Sequence, residues 1–328
     1  MPRYALLVAY DGTDFCGWQK QEPPASAGPA AQDGAGPAYS PHTPLLEGAP
    51  EGRVSLRTVQ GVLERVVRQV VREPVELIGA SRTDSGVHAE GQVCAFTCQP
   101  LETTGPSPIA DAPPAPRGVG WPADRGPARL CQAVNARLPD DVAVLAAAAV
   151  PAGFDPVAGA VRKRYTYTIQ FGPQRPLWDR RTVHFVRARP GALPDTDAMR
   201  DAAAALVGTH DFAAFAAAGH GRLSTVRTVH ACQIALLPSP RDAGTRLEIS
   251  IEGGGFLWNM VRIIAGTLLE VGLGRRDRGS TRTALRTRDR RDAGPTLAPT
   301  GLCLRWVRYE PPPAFVHASE PDARPSPA

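Results

Sequence analysis

Val75-Glu76-Leu77-Ile78-Gly79, then Ala80-Ser81-Arg82-Thr83-Asp84-Ser85-Gly86-Val87-His88-Ala89, then Gly91-Gln92-Val93-Cys94-Ala95-Phe96: two short apolar runs enclose a polar loop. Each run has the length and apolar content of a strand, so the stretch reads as strand, loop, strand. The loop carries one carboxylate, Asp84, with a cation two residues before it and a glycine two residues after it. Asp and Gly are turn formers for simple backbone reasons. A carboxylate held on a loop by a rigid strand pair is equally a natural place for chemistry.

Working outward from that loop, Val59, Val62, Leu63, Val66, Val67, Val70 and Val71 recur at helical spacing after Thr58, a residue suited to the N-cap. Tyr4 to Tyr10 reads as a first strand, followed by the turn Asp11-Gly12-Thr13-Asp14. Beyond the loop, residues 130–138 read as a helix and Val142 to Val150 as a strand. Arg164-Tyr165-Thr166-Tyr167-Thr168-Ile169 alternates as a strand does, with residues 182–186 as its partner. Residues 197–207 and 258–271 read as helices, 226–237 and 245–253 as paired strands, and 302–309 as a closing strand. Residues 275–295 are highly charged and read as partly helical and exposed. Two Pro-rich stretches, about 22–53 and 100–126, read as flexible insertions, because they lack the apolar content to order themselves. The mixture of helices and antiparallel-looking strand pairs makes the class α+β. Halves at 1–158 and 159–310, each β-α-β-β-like, suggest a duplication around a central cleft, with 311–328 as a disordered tail.

The chain has 328 residues, enough for a substantial core, with 37 basic against 32 acidic side chains and a formal charge of +5. Lysine occurs only at Lys20 and Lys163, so the cations are almost all arginine, the better phosphate fork. The six cysteines form no C-x-x-C pair and no cluster with zinc spacing, so no metal is expected. No secretory leader and no membrane-length apolar run is visible, which makes a reduced, cytoplasmic protein without a membrane partner the expectation.

Several short motifs then line up in order. Tyr10-Asp11-Gly12-Thr13, Gly17-Trp18-Gln19, Thr58-Val59-Gln60-Gly61-Val62-Leu63-Glu64 and Arg82-Thr83-Asp84-Ser85-Gly86-Val87-His88-Ala89 come first. Asn135-Ala136-Arg137-Leu138-Pro139, Arg164-Tyr165-Thr166-Tyr167 and His210-Asp211-Phe212 follow. Gly255-Phe256-Leu257, Met260-Val261-Arg262, Gly266-Thr267-Leu268-Leu269-Glu270-Val271-Gly272 and Pro299-Thr300-Gly301-Leu302 complete the series. Together they resemble the TruA family of tRNA pseudouridine synthases over nearly all of residues 3–310, outside the two insertions.

The resemblance implies an antiparallel sheet with flanking helices in two similar, ferredoxin- or RRM-like halves. It implies isomerisation of uridine to pseudouridine in the anticodon arm of tRNA, at tRNA positions 38, 39 and 40, by a homodimer with no cofactor. It makes Asp84 the nucleophile, Arg262 the cation that keeps it charged, and Tyr165 the ring that stacks on the target base. Arg82, on a strand-like path, points to the same side as Asp84, as a phosphate or substrate contact. A buried lone carboxylate neutralises itself unless a cation lies nearby, which is the physical need for such partners. Phe256 and Leu257 are candidates to seal the pocket; His88 and His210 read as structural. One segment departs from the family pattern: in Phe154-Asp155-Pro156-Val157-Ala158-Gly159-Ala160 the family's arginine falls on Val157 and its second aromatic on Ala158. A non-catalytic RNA-binding or chaperone protein on the same fold is the alternative. A glycosidase-like hydrolase is a third reading, but it needs two carboxylates across the bond and no second one is evident.

Overall fold

The computed structural model describes residues 1–25, 44–47, 49–101, 118–189, 191–217, 224–239 and 244–315. Most of both Pro-rich stretches and residues 316–328 of the tail therefore lie outside the described residues. The fold is mixed α+β with a mostly antiparallel sheet. The chain divides into two compact units: residues 1–85, 89–160 and 309–328 in the first, residues 86–88 and 161–308 in the second.

In the first unit, strand β1 (Arg3–Tyr10) is central because nearly every residue in it is apolar; Ala5, Leu6 and Val8 are fully buried. Two two-residue strands, β2 (Leu45–Leu46) and β3 (Ser55–Leu56), pair antiparallel at the margin of the first insertion. Helix α1 (Val59–Val71) starts where Thr58 Oγ1 accepts the Gly61 amide at 3.2 Å. It buries its valine face as the spacing predicts. Strand β4 (Ile78–Gly79) pairs with β5 (His88–Thr97), and β5 pairs with β1. β4 is shorter than the sequence suggests because the Leu77 amide turns to the Glu64 carboxylate (3.3 Å) instead of joining the ladder. β6 (Pro100–Leu101) runs parallel to β7 (Trp121–Pro122). Helix α2 (Gly126–Asn135) leads to β8 (Val142–Val150), which pairs antiparallel with β1. The strand order is β8-β1-β5-β4.

Three expectations change here. The margins of both insertions are ordered: Leu45 pairs with Leu56, Pro24 bridges to Arg53, and Trp121 is buried. Helix α2 begins four residues earlier than its apolar pattern, since proline is tolerated in a first helical turn. It stops at Asn135, whose side chain grips the Val144 amide and carbonyl, each at 2.8 Å, and so ties the helix end to β8.

The second unit is built around β9 (Ala160–Gly172). β10 (His184–Arg187) runs parallel to the last residues of β9. Helix α3 (Thr196–Ala204) is capped by Asp195, which accepts two amides. β11 (Gly208–Asp211), β12 (Val226–Pro238) and β13 (Thr245–Gly253) pair antiparallel in succession, and β13 pairs with β9 so that Tyr167 faces Ile249. Helix α4 (Met260–Gly272) is buried along Ile263, Ile264 and Leu268. Helix α5 (Ser280–Thr287) supplies the helical part of the charged 275–295 stretch and buries Thr281 and Ala284 rather than lying wholly exposed. β14 (Leu302–Tyr309) lies beside β9, giving the order β11-β12-β13-β9-β14.

Candidate active site

Asp84 sits half-buried on the loop between β4 and β5, and the first unit fixes that loop mainly through its main chain. The Trp18 amide donates to the Thr83 carbonyl at 3.0 Å, and Ser85 Oγ donates to the Phe15 carbonyl at 3.1 Å. Tyr10 and Thr83 share a buried hydroxyl–hydroxyl bond of 2.8 Å. Gln92, fully buried, accepts from the Ser81 amide and donates to the Ser81 carbonyl at 3.2 and 2.6 Å. Gly17 makes the clamp possible. Its φ is +85°, and a Cβ there would stand 2.8 Å from the Thr83 carbonyl oxygen. The Gly17 and Trp18 carbonyls also accept the Val59 and Gln60 amides, so the helix start and the Asp84 loop share one support. The motifs Gly17-Trp18-Gln19, Thr58-Val59-Gln60-Gly61 and Arg82-Thr83-Asp84-Ser85 are thus one constellation.

Arg82 is exposed beside this clamp and makes no hydrogen bond or ion pair among the described residues.

The second unit presents different groups. Tyr165 on β9 is buried, its ring edge-on to Phe256 with centroids 5.4 Å apart and planes at 88°. Tyr167, two residues on along the same face, donates its hydroxyl to the Ala298 carbonyl at 2.7 Å, and burial pushes its phenol well above the usual range. Gly301 lets that ring settle, since a Cβ there would come within 2.9 Å of it. Arg262 lies in the first turn of α4 and is not the exposed helix arginine that its position alone suggests. Its Nε donates to the Leu297 carbonyl and its Nη1 to Asn259 Oδ1, both at 2.7 Å. Asn259 adopts the left-handed conformation, φ 61°, which asparagine tolerates better than most residues. Leu257 is buried. His210 bonds the Val207 carbonyl at 3.0 Å and packs on Phe212, a structural role, and His88 is buried.

A family model described as tRNA pseudouridine synthase matches residues 202–310. The tRNA pseudouridine synthase A of Geobacter sp. (strain M21) is 34% identical over 310 residues, covering 94% of this chain and 99% of that protein. Those of Shouchella clausii and Oleidesulfovibrio alaskensis are each 37% identical, over 95% and 94% of this chain and 95% and 97% of their own lengths. This chain belongs to the tRNA pseudouridine synthase A family.

The segment from Phe154 to Ala160, which the sequence reading set apart from the family pattern, is well formed. Asp155 Oδ1 accepts the Val157 and Ala158 amides at 2.7 and 3.0 Å, and these bonds hold its carboxyl below the usual range. Tyr309 donates to the Pro156 carbonyl at 2.9 Å and packs against Phe154. Val157 is exposed, with 51% of its surface in solvent. The turn is thus formed with Val157 at an exposed position.

Two supports escaped sequence reading. Gln92 was a polar residue inside an apolar strand, a signal that a buried partner must exist. Asn259 preceding a helix hinted at a left-handed residue, but nothing in sequence linked it to Arg262. No group of three potential ligands is placed to hold a metal ion among the described residues, and no helix among them is long and apolar enough to cross a membrane.

Proposed function

We propose that this chain isomerises uridine to pseudouridine in the anticodon stem-loop of tRNA, at tRNA positions 38, 39 and 40, with Asp84 as nucleophile. The reaction breaks the ribose C1′–N1 bond, turns the base and joins C1′ to C5. The proton on C5 is lost and N1 gains one, so there is no redox change and no electron carrier is required. One ionised carboxylate suffices to hold the separated sugar and base. Asp84 does so by attack at C1′, by attack at C6, or as a base at C2′. Arg262 keeps the carboxylate charged, Tyr165 stacks on the everted base and offers its hydroxyl for proton transfer, and Arg82 grips a phosphate or the substrate. Phe256 and Leu257 close off water. The enzyme works as a cytoplasmic homodimer.

The observation that carries this reading is the clamp on the Asp84 loop: five hydrogen bonds and a left-handed glycine hold the loop that carries one carboxylate. A mere turn needs no such support. The resemblance over 94% of the chain to named pseudouridine synthases supports the reaction class. The order of elements supports the duplication. Read as β-α-β-β-α-β, the first unit's strands follow the order fourth, first, third, second, and β14-β9-β13-β12 repeats it in the second unit. By this reading residues 1–158 and 159–310 are two copies of one unit.

Unmodified tRNA incubated with the protein should acquire pseudouridine in the anticodon arm. Asp84→Asn should lower turnover by on the order of 10⁴-fold or more while tRNA still binds. Robust product from Asp84→Asn would refute the assignment. Binding without product from the unaltered protein would select the non-catalytic RNA-binding alternative.

A further inference from the structure

Of the five tryptophans, Trp18, Trp121 and Trp306 are 2 to 5% exposed and Trp258 is 50% exposed. Trp178 is 75% exposed, and its neighbour Leu177 is 64% exposed. Loose chain is not the reason. Pro176 and Val183 are buried on either side, and Asp179, also buried, accepts from Arg246 at 2.5 Å. The Asp179 carbonyl takes the Thr182 amide at 3.0 Å, and Arg180 donates to the Leu177 carbonyl at 2.8 Å. A loop anchored at both ends thus holds its indole out into water, where it forgoes the apolar burial that normally draws tryptophan inward.

The surroundings say what it meets. Between Gly172 and Arg189 the segment carries Arg175, Arg180, Arg181, Arg187 and Arg189 against the single carboxylate Asp179. All of these arginines except Arg181 are exposed. An aromatic face among guanidinium groups is the pattern that binds nucleic acid, arginines on phosphates and a ring on an unpaired base. The loop itself gathers five arginines around one buried carboxylate, and RNA brings the opposite charge to it. The loop follows the far end of β9. From Tyr165 to Gly172 the strand advances seven residues, about 23 Å at ~3.3 Å each. This surface is therefore separate from the ring assigned to the target base.

We propose that the 173–182 loop is a second RNA contact, in which Trp178 stacks on an unpaired nucleotide of the tRNA while its arginine neighbours hold the backbone. It rests on the reading that the chain acts on tRNA, and its test reads binding rather than product. Trp178→Ala should raise the Kd for unmodified tRNA by about 5- to 100-fold, the loss of one stacked base. Trp178→Phe should restore most of that affinity. In the unaltered protein tRNA should quench part of the tryptophan fluorescence, and in Trp178→Phe that part should vanish. Arg175→Ala should flatten the salt dependence of binding by about one counterion.

Unchanged Kd and unchanged quenching in these variants would overturn the contact. So would a fall in oligomeric state on Trp178→Ala with tRNA affinity intact, which would assign the surface to a second copy. If Trp178→Ala weakens binding while the unaltered protein makes no pseudouridine, the activity fails and the contact stands. If pseudouridine forms and Trp178→Ala binds normally, the reverse holds.

Discussion

The Asp84 loop and the Tyr165–Arg262 region are supported in opposite ways. The first is irregular chain held mainly by main-chain bonds: Trp18 to Thr83, Ser85 to Phe15, and Gln92 to both polar groups of Ser81. The second uses regular elements, a strand for Tyr165 and a helix start for Arg262, and fixes the side chains themselves. A loop can be re-aimed by a small shift in any backbone partner, whereas a ring on a paired strand moves only with the strand. Asp84 is therefore the candidate site residue whose position depends most on residues far away in sequence.

The sharpest way to break that comparison is at Gly17. Gly17→Val forces a β-branched residue to φ +85° and drives its Cβ toward the Thr83 carbonyl. Strain of this kind costs on the order of 2–4 kcal/mol. Urea unfolding should show that loss, and turnover should fall with it because the displaced loop carries Asp84. Wild-type stability together with wild-type turnover would mean that the main-chain clamp does not position the carboxylate.

The next test concerns the ring. Truncating a ring as buried as Tyr165 to alanine would cost about 3–5 kcal/mol of stability, so Tyr165→Leu is the cleaner variant. It should cut turnover about 100-fold, in line with general acid–base and stacking contributions, and leave tRNA affinity nearly intact. Tyr165→Phe should lie between, by the share that the hydroxyl provides. A fall in affinity as steep as the fall in turnover would show that Tyr165 serves general RNA binding and not the target base.

The same contrast explains what was legible beforehand. Periodicity reveals α1, β9 and α4, because a packed face repeats at 3.6 or 2 residues and burial enforces it. The Asp84 loop was legible as a candidate through residue types alone. Its support was not, because Gln92, Tyr10 and Gly17 reach it across 11 to 73 residues of sequence, and no local pattern encodes such contacts. Arg262 reads from sequence as a surface arginine for the same reason: its tether to Leu297 spans 35 residues. The margins of the insertions read as flexible from composition, but the buried Trp121 outweighs a Pro- and Gly-rich neighbourhood at the second, and the pairings of Leu45 with Leu56 and Pro24 with Arg53 order the first.

The smallest expected effect sits at Val157, where the family resemblance leads one to expect an arginine. Val157 occupies an exposed turn position held by Asp155 and by Tyr309, so a long side chain there meets solvent and not core. Val157→Arg should leave the urea midpoint unchanged, since exposed substitutions away from special features stay within about 0.5 kcal/mol. It should tighten tRNA binding by about 2- to 5-fold and steepen the salt dependence by up to ~0.9 in log–log slope, the release of one counterion. Turnover at saturating tRNA should not move, because Asp84 is untouched. A changed turnover at unchanged affinity would place position 157 in the chemistry instead. Unchanged affinity and slope would show that the binding surface of this chain lies elsewhere, with the arginine-rich loop around Trp178 as the first place to look.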